Sequence, residues 1–193
     1  AGTGRFGRVA FRAEVRDHAL DRVIHLPDLA TSAGAEVATG AFAGGTLLDD
    51  SGTATGAILS LGSGSVIRHG NSSSVLIRTG RLVARHLPAS LPAAAAARLP
   101  GAGVMVDPVD VVFEPSATLS IPNDVGLPAN ANVELFRLDP TTGTWGVVAS
   151  ARVDSAGNRI EGAGVSGGGL YAVGAAVSAL AVAVCLICLA KMP

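Results

Sequence analysis

Two cysteines are all that the chain has, and both, Cys185 and Cys188, lie close to its C-terminus. No disulfide can staple the residues ahead of them, so that body must be held by its own apolar core. A Cys-x-x-Cys pair acting as a zinc or redox site would need further ligands at matching spacing, and the chain supplies none. The pair reads instead as packing or lipid-facing cysteines, and its position near Lys191 makes both residues S-palmitoylation candidates. Aromatic residues are 4% of the chain, too few for base-stacking platforms or an aromatic sugar cleft. The net charge is -1 and no basic cluster occurs, which argues against nucleic acid as a partner.

Chemistry-bearing motifs are equally scarce. The four histidines, His18, His25, His69 and His86, are scattered. Asp17, His18, Asp21, His25 and Asp28 are the densest group of ligand types, but without a His-x-Glu step they read as a solvated loop. Gly62-Ser63-Gly64-Ser65 lies between strand patterns and not between a strand and a helix, so it is no nucleophile elbow. Gly2, Gly4 and Gly7 have the spacing of a nucleotide-binding loop, but no strand precedes them. Asp49, Asp50 and Ser51 offer hard oxygen donors at a turn, which suits calcium; Asp-Asp-Ser-Gly is also ordinary turn chemistry. The expectation is a protein that is not an enzyme and carries no metal and no cofactor.

What the chain has in quantity is punctuation, with 25 Gly and 10 Pro. Alternation of apolar and polar positions marks a strand at 8–15, and further strands are expected within 35–48 and at 57–61, 65–69, 74–77 and 82–85. Glycines at 62, 64, 70 and 80 separate them. Residues 90–99 have a capping Ser90, Pro92 in the first turn and an alanine run, and read as a short helix or a linker. Strands then follow at 104–106, 109–113, 117–121, 133–138, 145–149, 159–160 and 170–173. Asp139-Pro140-Thr141-Thr142-Gly143 reads as the loop of a hairpin. Many short strands and few helices predict an all-β fold, an antiparallel β-sandwich of the Ig type.

The run Val109-Asp110-Val111-Val112-Phe113-Glu114-Pro115-Ser116-Ala117-Thr118-Leu119-Ser120-Ile121-Pro122-Asn123 resembles a segment of ZU5-like β-domains. Gly126-Leu127-Pro128, residues 133–139, Thr142-Gly143-Thr144-Trp145 and the Gly-Leu-Tyr-Ala-Val-Gly at 169–174 are similar to its continuation in large bacterial and algal cell-surface proteins. Ala38-Thr39-Gly40-Ala41-Phe42, with Leu47-Leu48-Asp49-Asp50-Ser51-Gly52 and Thr55-Gly56-Ala57-Ile58, resembles the first strands of the family, with Thr39 where a proline is usual. The resemblance covers roughly 35–174 and implies an extracellular β-sandwich module. Some relatives cleave themselves at a His-hydrophobic-Ser/Thr step; here Pro88 follows His86-Leu87, so self-cleavage is not expected.

Residues 167–190 carry no charge before Lys191. From Gly174, about 17 residues rise roughly 25 Å as a helix, the short end of a membrane span. The expected organisation is an N-terminal strand or linker region over 1–34, a β-module over 35–173 and a single transmembrane helix over 174–190. The start at Ala1 without Met and the end two residues after Lys191 read as a fragment or a processed chain. Asn71-Ser72-Ser73 is an N-glycosylation sequon in an expected loop, making Asn71 the glycosylation candidate. Together these features predict a non-enzymatic structural or interaction module at the cell membrane, its β-domain outside. The partners expected are the lipid bilayer and other surface proteins or copies of itself. The alternative is a glycan- or calcium-dependent ligand-binding module, whose glycan form would need an exposed aromatic; Trp145 is expected instead to cover a sandwich edge, and Tyr171 to sit at the membrane interface.

Overall fold

The structure, a computed structural model, describes Leu29 and residues 32–82 and 103–175. The strand expected at 8–15, the acidic and histidine group at 17–28, residues 83–102 with the expected helix and His86, and the tail beyond 175 with Cys185 and Cys188 lie outside the described residues.

The described residues contain strands and no α-helix. The twelve strands are β1 (Ala35–Ala38), β2 (Gly40–Phe42), β3 (Gly45–Asp49), β4 (Ile58–Leu61), β5 (Ser65–Arg68), β6 (Ser74–Leu82), β7 (Gly103–Asp107), β8 (Val112–Pro122), β9 (Asn132–Leu138), β10 (Trp145–Val153), β11 (Arg159–Gly167) and β12 (Gly169–Ala175). All pairings are antiparallel, and the ladders join into one sheet in the order β1-β6-β7-β12-β9-β10-β11-β8-β4-β3. β8 also pairs with β5 through Val112, Phe113 and Glu114, and β5 pairs with β2. Because β1 and β2 are separated only by Thr39, the run 35–42 links β6 on one side to β5 on the other. The sheet thereby curls into a nearly closed, barrel-like form, where two separate sheets of a sandwich were expected.

Inward-facing residues of every part of this ring meet in one core, among them Leu59, Ile67, Ile77, Val106, Phe113, Leu135, Ile160 and Tyr171. Alternation along each strand places them there, since successive side chains point to opposite faces. The outward face of the end of β6, of β7 and β12, of the second half of β9 and of the start of β10 is not solvated, however. Leu82, Met105, Phe136, Leu138, Trp145, Leu170 and Ala172 form a second buried cluster there, together with Leu29. This stretch is buried on both faces, which explains why Val104-Met105-Val106 and Leu170-Tyr171-Ala172-Val173 are continuous apolar runs.

Three boundaries differ from expectation. The strands expected at 74–77 and 82–85 form one strand to Leu82, because Gly80 stays in the ladder opposite Met105. The strands expected at 109–113 and 117–121 are the single strand β8. Its start is delayed by a turn in which Val111 N donates to Pro108 O at 3.2 Å. β12 runs on to Ala175, two residues into the segment expected to begin a helix at 174. The hairpin between Leu138 and Trp145 forms as expected, with Asp139 N donating to Thr144 O at 2.9 Å and Gly143 N to Asp139 O at 2.8 Å.

Candidate functional site

Strand polarity sorts the loops onto two ends of the barrel. β6 begins where β7 ends, β12 begins beside Val106 at the end of β7, and β9 ends where β10 begins. One end therefore gathers the 69–73 turn, the 107–111 connection, the 139–144 hairpin and the 167–169 corner. At the opposite end lie the 50–57, 123–131 and 154–158 loops and the C-terminal end of β12, where Ala175 pairs with Val133. Seven strand residues separate the two ends, about 23 Å.

Asn71 is exposed on the first of these ends, in the β5–β6 turn that Ser72 N closes on His69 O at 3.0 Å. The next residues are tied down: Thr39 Oγ1 donates to Ser72 O at 2.6 Å and Thr39 N to Ser73 O at 3.0 Å. The Asn71 side chain is thus presented on a fixed backbone.

Beside it lies a recess lined by His69, Asp107, Pro108, Val109 and Asp110, with a volume of about 290 Å³. His69 Nε2 stands 3.3 Å from Asp110 Oδ1, an ion pair when the imidazole is protonated. Among the described residues no three His, Cys, Asp or Glu side chains converge as a metal set.

The neighbouring recess is lined by Arg137, Asp139, Pro140, Thr144, Gly146 and Val148, with a volume of about 340 Å³. Arg137 has the same parity along β9 as Val133 and Leu135, so it points inward at the barrel mouth. Its guanidinium donates to Ser166 Oγ at 3.2 Å and to Gly168 O at 2.7 Å, and lies 5.8 Å from the centre of the Tyr171 ring. Tyr171 in turn donates from its hydroxyl to Gly167 O at 2.8 Å. Burial pushes the Tyr171 pKa above its ordinary value of 10.0, with the Arg137 charge opposing. Asp139 turns its carboxylate into its own hairpin, accepting from Thr141 N at 2.7 Å and from Thr142 N at 3.4 Å. The Thr141 amide, first among these donors, holds its pKa below the usual 3.8.

The acidic turn after β3 is not a calcium cradle. Asp50 is buried, accepting from Ser32 Oγ at 2.6 Å, Ala33 N at 2.8 Å and the Thr79 hydroxyl. Asp49 is exposed and accepts from Ser51 N at 2.9 Å; hydrogen bonding from the Ser51 side chain, then its backbone, lowers its pKa. Adjacent carboxylates on opposite faces of a strand end cannot converge on one ion. Asp50 is a latch, joining the segment before β1 to the end of β3 and the middle of β6.

From the sequence, Trp145 is expected to cover a sheet edge and Tyr171 to sit at the membrane interface. Both are buried, Trp145 in the outer cluster and Tyr171 in the central core. Arg137 drew no attention in the sequence; sharing the parity of Val133 and Leu135, it reads there as an ordinary strand charge. Comparison with protein-family models, curated proteins and solved structures gives no match.

Proposed function

We propose that the chain is a non-enzymatic structural or interaction module of the cell surface, a ZU5-like β-domain carried by its apolar C-terminal segment. The observation that carries this reading is the direction of β12. It begins at the end that displays Asn71 and the 139–144 hairpin, and it finishes at the opposite end, where the chain continues into the uncharged run 176–190. A tether leaving there presents the Asn71 end away from the membrane, where a glycan on Asn71 and contacts to other surface proteins or to copies of the chain are unhindered.

No helix among the described residues is long and apolar enough to cross a membrane. The proposed span is 176–190 in place of 174–190, since β12 takes Gly174 and Ala175. As a helix, this run rises about 22 Å, short of the roughly 30 Å hydrocarbon core, and needs local thinning and snorkelling by Lys191. Cys185 and Cys188 lie in its second half, where acylation would add apolar anchorage. The glycan- or calcium-dependent alternative is not favoured, because Trp145 and Tyr171 are buried and Asp50 faces inward.

The test is fractionation of the full chain against a version ending at residue 175. The full chain should stay with membranes at high pH and need detergent for extraction, with external protease reaching residues before 168; the shortened chain should be released. Release of the full chain by alkaline wash alone would overturn the anchor.

A further inference from the structure

We propose that the recess around Arg137 takes an extended, carboxylate-bearing segment of a partner protein, laid along Gly146–Val148 with its carboxylate on the guanidinium. The inference deepens the interaction-module reading and rests on it, but not on the membrane anchor.

Four observations point to this. First, β10 pairs with β9 from Trp145 to Arg152 but with β11 only from Ala151 to Val153. Beyond Gly162 no β11 residue pairs with β10, although Gly164 (φ +103°) still packs against it, where a Cβ would lie 2.7 Å from the Ala149 Cβ and 3.1 Å from Val148 O. Residues 146–148 thus have no ladder partner on that side among the described strands, an edge that accepts another strand. Second, Val148 lines the recess, and both it and its neighbour Val147 are exposed, 39% and 55%, at a bulge in the ladder with β9.

Third, Gly146 has no internal reason to be glycine. Its φ is not positive, and a Cβ there would meet nothing within 4 Å. Glycine weakens a strand, and where neither strain nor crowding requires it, it keeps room for an approaching chain. Fourth, Arg137 makes no ion pair among the described residues. Its hydrogen-bond partners are the neutral Ser166 Oγ and Gly168 O. Its Nε is buried, with no hydrogen-bond acceptor among the described residues. A guanidinium in that state gains most from a carboxylate, which accepts from it in the same plane. With the ionised Asp139 on the same wall, a single carboxylate fits better than a phosphate dianion.

The experiment titrates the full chain, in non-ionic detergent micelles and labelled with nitrogen-15, with an eight-residue peptide of alternating valine and glutamate. The comparison probes are the same peptide with glutamine for glutamate, sodium acetate and inorganic phosphate. The glutamate peptide should shift the Arg137 Nε–H and the backbone amides of Gly146, Val147 and Val148 together, with at least tenfold tighter binding than the glutamine peptide. Arg137→Gln should remove that preference. Because Arg137 also ties the β11–β12 corner, Val148→Glu is the second variant: it places a carboxylate beside the guanidinium and should block the peptide while leaving the rest of the spectrum in place. Equal binding of the two peptides, or unchanged binding by Val148→Glu, would overturn the proposal. So would acetate or phosphate matching the glutamate peptide, which would make the recess a small-anion site.

Discussion

Ser32 Oγ donates to Asp50 Oδ2 at 2.6 Å, across 18 residues of chain and into the protein interior. Ser32 also accepts from Thr79 N at 3.1 Å, so one hydroxyl links the segment before β1, the end of β3 and the centre of β6. β1 and β3 are the two ends of the ladder order and make no ladder with each other. The Asp50 latch therefore closes the seam that strand pairing leaves open.

Removing the latch carboxylate should be costly. Asp50→Ala leaves the Ser32 hydroxyl and the Ala33 amide without their buried acceptor, and the Thr79 hydroxyl with only Thr55 Oγ1 at 3.2 Å, a loss of about 3 kcal/mol. Asp50→Asn keeps the size but replaces one acceptor oxygen by a donor, and should cost less. Urea unfolding followed by Trp145 fluorescence checks both; a midpoint unchanged by Asp50→Ala would show that the seam holds without the latch.

Tyr171 is the only tyrosine, so its ionisation can be read without overlap. Its pKa is raised by burial, which means the native state favours the neutral phenol. For such a group the stabilisation is complete below the unfolded value of 10.0 and is lost as pH rises through and beyond it. Alkaline difference spectroscopy should give a midpoint above 10, moving down towards 10 on unfolding in urea. A native midpoint at or below 10 would contradict the burial.

Much of the strand content was legible in the sequence, because turns announce themselves locally. Asp139-Pro140-Thr141-Thr142-Gly143 and Asp154-Ser155-Ala156-Gly157-Asn158 both form turns between paired strands, each closed by an aspartate accepting from backbone amides within its own turn. What stayed hidden depends on contacts distant in sequence. Gly80 resembles a break until Met105 is seen opposite it. Asp49 and Asp50 look alike as turn residues, and only the burial of Asp50 against Ser32 and Thr79 separates their roles. The curling of one sheet into a barrel is set by the Thr39 step between β1 and β2, which alternation along a strand cannot reveal. Arg137, flanked by Phe136 and Leu138, reads as a solvated strand charge until those two neighbours are found buried on the outer face.

Asn71 is expected to tolerate replacement. Its side chain is exposed, and the turn is held by Ser72 and Ser73 backbone contacts to Thr39. Asn71→Gln should change stability by less than about 0.5 kcal/mol. In a eukaryotic secretory host it should also abolish a glycan-dependent mobility shift that enzymatic deglycosylation removes. Identical mobility of the two forms in that host would mean that the sequon is unused.

Glycines along the barrel should divide sharply by what surrounds them. At Gly168 a Cβ would collide with the Pro108 carbonyl oxygen, and at Gly167 with that of Val111, backbone atoms that cannot rotate aside. Gly168 N also donates to Val111 O at 2.9 Å, which fixes the corner against the β7–β8 connection. Gly168→Ala should therefore cost about 3 kcal/mol through overpacking. Gly146→Ala meets open space in an ordinary strand conformation and should be neutral, or stabilising by about 0.5 kcal/mol. The same Gly146→Ala chain should bind the valine–glutamate peptide less tightly, since the methyl group occupies the wall facing Arg137. Unfolding midpoints compared with peptide titrations of the two variants separate the effects. Loss of stability at Gly146 would assign that glycine to the fold, whereas unchanged stability with weakened binding assigns it to the recess.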